Sequence, residues 1–176
     1  MSKVKVIAVL VLCGVVSSLD AVENYDIETG SNLSKLDEDV VGEVLQSTVH
    51  TFVDGGRYTE RERRNAHKLA RFLIEKGAAD YDALHYLWDD FYATDVIYTN
   101  DERKELTLLM QNTGKLDINY VWPSCPPNAY ATVRDMNRDV ENDQFLEHIG
   151  AKKFNDLSQK EKDEAITRIA NDRIPR

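Results

Sequence analysis

The sequence predicts an all-α fold: a compact bundle of five to seven short amphipathic helices with one irregular, proline-rich loop. Three observations carry that expectation. Apolar residues recur at three- and four-residue spacing in successive segments. The segments are punctuated by helix-start signals, a Ser or Thr followed three residues later by Glu, and by glycine stops. No stretch alternates long enough to make a convincing strand, and "INYVW" at 118–122 is the only short candidate.

The chain opens with Lys3 and Lys5, then an uncharged apolar run from Val6 to Val16, then Ser17, Ser18 and Ala21. This is the three-part pattern of a secretory signal peptide. The run is well short of the roughly 20 residues a membrane-spanning helix needs, and no later run has that length. Residues 1–18 are therefore read as a leader cut after Ser18, and the expected location is extracellular. Residues 19–33 are polar, acidic and without period, the pattern of a flexible arm. Residues 34–176 then suit a single helical domain.

Within that domain, Ser34 is a plausible N-cap, and Asp37, Glu38 and Asp39 load the first turn with charge that complements the helix dipole. Leu36, Val40, Val41, Val44, Leu45, Thr48 and Phe52 make the apolar stripe, and Asp54-Gly55-Gly56 ends it. A second helix starts at Thr59, buries Ala66, Leu69, Ala70 and Leu73, and stops at Gly77. The third begins near Asp80, with Leu84, Leu87, Trp88 and Phe91 inward. The fourth starts at Thr99, with Leu106, Leu109 and Met110 inward and Gly114 as the stop. Pro123, Pro126 and Pro127 exclude a regular helix over 115–128. Helical spacing returns from Tyr130 through Met136, Val140, Phe145 and Ile149, with a break near Asn137–Asn142 and a stop at Gly150. The last helix starts at Ser158 and carries Ala165, Ile166, Ile169 and Ala170 on one side.

Charge narrows the partners. The chain has 22 basic and 31 acidic residues, a net −9, and losing Lys3 and Lys5 with the leader leaves 20 against 31, or −11. A chain this acidic repels nucleic acid and anionic membrane unless its charges are segregated. Cys13 leaves with the leader, so Cys125 stands alone and no intrachain disulfide is expected. A buried thiol, a capped thiol and a link to a second chain all remain open for it. Asn32-Leu33-Ser34 is an N-glycosylation sequon in the polar stretch before the first helix.

"RYTERERRN" at Arg57 and "IYTNDERKE" at Ile97 share Tyr-Thr-x-x-Glu. Thr59 with Glu62 and Thr99 with Glu102 read as capping boxes, and Ser158 with Glu161 is a third instance. The two repeats, about forty residues apart, also resemble the second half of an EF-hand loop, where a closing glutamate holds calcium through both oxygens. That resemblance implies calcium as the cofactor, with Glu62 and Glu102 as closing ligands. The front half of the pattern departs from the family. In that frame its first, third and fifth ligands would be Thr51, Val53 and Gly55, or Phe91, Ala93 and Asp95, and most of these bring no side-chain oxygen.

Asp82, His85 and Asp89 share one helical face, opposite Leu84, Leu87 and Trp88, and read as a solvated acidic face rather than a metal site. No zinc-protease, P-loop, dinucleotide or serine-hydrolase motif occurs, so no enzyme and no resident cofactor are expected. Two features remain for recognition. Arg63, His67 and Arg71 lie four apart on a helix whose segment 57–76 is strongly basic, able to grip an anionic ligand or to neutralise acidic neighbours of its own chain. Tyr120, Trp122 and Tyr130 flank Cys125 and the prolines, either as a recognition loop or as a strap filling a gap in the core. The leading expectation is a secreted, non-enzymatic protein that binds an extracellular protein or anionic ligand, with a Cys125-linked homodimer as one form. A calcium-responsive protein is the alternative, and an enzyme of unidentified class comes third.

Overall fold

The computed structural model describes residues 38–54, 57–89, 100–124 and 130–172, and it is all-α. Among the described residues there are seven α-helices: α1 (Glu38–Val53), α2 (Glu60–Glu75), α3 (Tyr81–Trp88), α4 (Asn100–Asn112), α5 (Val133–Met136), α6 (Val140–His148) and α7 (Gln159–Asp172). A short 3₁₀ turn, Phe154–Asp156, precedes α7. The only sheet among these residues pairs β1 (Trp122–Pro123) with β2 (Tyr130–Ala131), antiparallel, Trp122 opposite Ala131.

Local chemistry accounts for the helix limits. In α2 the Thr59 hydroxyl accepts from the Glu62 amide at 3.3 Å, while Glu62 Oε2 accepts from the Thr59 amide at 2.7 Å, so two amides with no intrahelical acceptor are satisfied at once. Ser158 and Glu161 do the same at the start of α7. Asp80 caps α3 by accepting from the Ala83 amide at 2.8 Å. Gly77 (φ +91°) and Gly150 (φ +90°) take the left-handed turn that lets Ala78 and Ala151 donate back to Leu73 and Leu146.

Helices α2 and α3 both pack against α1. Along α1 and α3 the contacts step forward together. Gly42 lies against Asp80, Gln46 donates to Asp82, and His50 meets Tyr86 edge-on at 5.1 Å, so the two helices run parallel. The missing side chain at Gly42 is what permits this approach, since a Cβ there would lie 3.3 Å from Asp80 Oδ2. Leu45, Val49, Phe52, Leu84, Leu87, Trp88, Leu106, Met110 and Leu146 form the buried centre. A satellite core of Val121, Leu157, Ala165 and Ile169, with Tyr130 and Phe154 against it, seats α7.

Segment 116–123 is a strap between the two cores. Neighbouring residues of an extended chain point to opposite faces. Tyr120 and Trp122 accordingly face the main core, and Val121 between them faces α7. The helical expectation from Tyr130 onward is corrected at its start. Tyr130 and Ala131 are strand, because Trp122 and Pro123 offer them a pairing partner, and α5 begins only at Val133. The expected break is present between Met136 and Val140.

Candidate functional site

The residues singled out for recognition fall into two groups. Arg63, His67 and Arg71 are on α2. The Arg63 guanidinium donates to the Tyr58 carbonyl at 3.2 Å. His67 Nε2 lies 3.5 Å from Glu105 Oε2, an ion-pair separation without hydrogen-bond geometry, and its ring leans on Phe52 at 5.2 Å. Arg71 is held at 2.9 Å by Glu75 on its own helix and at 2.9 Å by Glu105 on α4. The basic face of α2 is thus opposed by acidic side chains of the same chain. Surface pairs of this kind add little stability, but they occupy the cations.

The second group is built on the strap. Tyr120 stacks on Tyr81 of α3 with ring centroids 3.9 Å apart and planes 26° apart. The Arg168 guanidinium of α7 lies 3.7 Å from the centroid of the Tyr120 ring. Trp122 is 4.8 Å from Tyr120 and 5.5 Å from His85, and its side chain is buried. Arg168 also donates to the Val121 carbonyl at 2.7 Å, tying α7 to the strap backbone. Tyr130 belongs to the satellite core, 5.4 Å from Phe154. Pro123 and Ser124, which follow the buried indole, are exposed.

His85 departs from the expected solvated face. It is half-buried between Tyr86 and Trp122, with Asp89 at 3.8 Å, because the strap lays its Trp122 ring against His85. Burial holds its pKa below the ordinary 6.5, against the pull of Asp89 and Asp82. The unfolded chain then takes up this proton first. The contribution is present above pH 6.5 and is lost as pH falls through the lowered folded value. Thermal melts should therefore show a steeper fall in stability below pH 6.5 for the native chain than for His85→Phe. Parallel curves would remove His85 as the cause.

In the first Tyr-Thr-x-x-Glu repeat, the Glu62 carboxylate is engaged by both the amide and the hydroxyl of Thr59, each at 2.7 Å. Those hydrogen bonds hold its pKa below the usual carboxylate range. Glu102 is half-buried in the first turn of α4. Among the described residues no three His, Cys, Asp or Glu side chains converge as metal ligands. Asn32, Cys125 and Thr99 lie outside the described residues. Sequence reasoning missed Tyr81, Glu105 and Arg168. A signal existed for Arg168, which sits three residues after Ala165 and one before Ile169, inside the apolar stripe of α7.

Fold and site together define an all-α protein with an aromatic strap clamped between its bundle and its last helix. No family model matches the chain, and no curated protein or solved structure matches it either.

Proposed function

We propose that this is a secreted, non-enzymatic interaction protein that recognises its partner through the strap, and that one such partner is a second copy joined through Cys125. What supports the reading is the way the strap is held. Tyr120 and Trp122 are locked from beneath by Tyr81, His85 and Arg168, while Pro123 and Ser124 face outward. A segment fixed on one side and exposed on the other has little entropy left to lose on binding. The basic helix is the weaker candidate, since Arg71 and His67 already face Glu105. The lone cysteine, in the oxidising compartment its leader implies, lies one residue beyond the exposed Ser124.

A photo-crosslinking amino acid at Ser124, with the same label at exposed Lys68 as the comparison, tests this. Irradiation should double the mass of the Ser124-labelled chain and leave the Lys68-labelled chain unchanged. Without reductant the unlabelled protein should run as a dimer that reductant halves, with or without calcium. A monomer with no adduct at Ser124 would sink the proposal. An adduct at Lys68 alone would move the site to α2, and a calcium-dependent mass would favour the repeats instead.

A further inference from the structure

Two buried donors beside Tyr120 have no acceptor. Trp122 is 7 % exposed, and its indole N–H makes no hydrogen bond. Arg168 Nε is likewise buried and without a partner. Both side chains touch the Tyr120 ring, the guanidinium at 3.7 Å and the indole at 4.8 Å. Trp88 shows the ordinary arrangement in the same protein, its indole donating to Thr107 Oγ1 at 3.0 Å. A buried donor left unpaired has lost its water without gaining a partner, which is unfavourable. Arg168 is unusual in a second way. The chain carries 31 acidic residues against 22 basic ones, yet no carboxylate among the described residues pairs with this half-buried guanidinium. Its partners are the Val121 carbonyl and the Tyr120 ring.

We infer that the Arg168–Tyr120–Trp122 junction is a binding site for a single carboxylate carried on an aromatic or apolar body. The carboxylate supplies what both donors lack, acceptor oxygens and a negative charge beside the guanidinium. The aromatic body matches Tyr81, Tyr120 and His85, which ring the junction. A polyanion fits poorly, because the net charge of −9 repels it at long range while only one guanidinium is offered. The rim is open enough for entry, since Tyr120 and Arg168 are half-buried and Pro123 and Ser124 are exposed. This inference rests on the strap being the recognition element and adds the chemistry it would recognise. The carboxylate could belong to a free aromatic acid or to the C-terminal residue of a polypeptide.

The two indole N–H resonances give the test its own control. The secreted chain, labelled with nitrogen-15, is titrated with phenylacetate, phenylacetamide, and Gly-Gly-Phe with a free or amidated C-terminus. The Trp122 indole signal should shift saturably with the acids, while that of Trp88 stays. The two amides should bind at least tenfold more weakly. Arg168→Gln should abolish the shift. If that variant loses its fold, Arg168→Lys keeps the charge and removes the Nε donor, and it should weaken binding several-fold. Tighter binding of free Gly-Gly-Phe than of phenylacetate identifies a polypeptide C-terminus as the source, and the reverse order a free acid. No shift of Trp122, equal shifts with acid and amide, equal movement of Trp88, or the same shift from inorganic sulfate would each overturn the site. Crosslinking at Ser124 that persists alongside any of these results would leave the strap reading standing and remove only the carboxylate.

Discussion

Replacing Trp88 by alanine is expected to lower the unfolding free energy by about 3–5 kcal/mol, read from urea melts. The indole is fully buried and stacks on Phe145 at 6.0 Å. Its N–H reaches Thr107 Oγ1, and that hydroxyl donates in turn to the Arg103 carbonyl at 2.8 Å, so the buried polar chain is closed. Truncation loses the transfer energy of the ring, opens a cavity in the main core, and removes one member of a satisfied chain. Against a typical total of about 5–15 kcal/mol, that is a large share. The conservative variants sharpen the prediction by differing between the two tryptophans. Trp88→Phe keeps most of the ring but loses a made hydrogen bond, at a cost of about 1 kcal/mol. Trp122→Phe discards a donor that has no partner, so its cost should be smaller or reversed in sign. Equal losses at the two positions would show that ring volume alone decides.

Asp135→Ala should cost about 2–4 kcal/mol, and most of that should appear locally. One oxygen, Oδ2, accepts from the Thr132 amide at 3.0 Å and from the Phe154 amide at 2.7 Å. The Thr132 hydroxyl lies 3.0 Å from the same oxygen and 2.7 Å from the Lys152 carbonyl, and its single proton serves one of the two. This carboxylate therefore ties the start of α5 to the turn that leads into α7. Its removal leaves two amides without acceptors, one of them in Thr132, which is fully buried. Phe154 packs against the satellite core, so amide exchange at Phe154 and along α7 should quicken before exchange in α1 does. Asp135→Asn, which keeps one acceptor oxygen, should recover about half of the loss. Native stability and exchange in Asp135→Ala would mean that water replaces the carboxylate without penalty.

Both predictions depend on contacts that the sequence shows very unevenly. The capping boxes at Thr59 and Ser158, the helix start near Asp80 and the glycine stops at Gly77 and Gly150 were all legible in the chain. The burial of Trp88, Leu84 and Leu87 on one face of α3 was legible too. Nothing local marks Asp135 as the acceptor for an amide nineteen residues away, or Glu105 as the counter-charge for Arg71. The strap was legible as an irregular aromatic segment, but the residues that clamp it were not.

By itself, the sequence determined the class, most of the helix starts and stops and the inward faces of α1 to α4, because each follows from interactions within four residues along one chain; Val140, Ile166 and Ala170, placed on apolar stripes by spacing, are exposed. Only the tertiary structure decided what crosses the remaining faces. It turned Tyr130 and Ala131 into a strand by supplying Trp122 and Pro123 as partners, and it buried His85 under the strap. It also laid Arg168 over Tyr120, leaving two buried donors in one place. The physical reason is that a helical period reports which side of an element is apolar, and says nothing about which distant segment comes to lie on the other side.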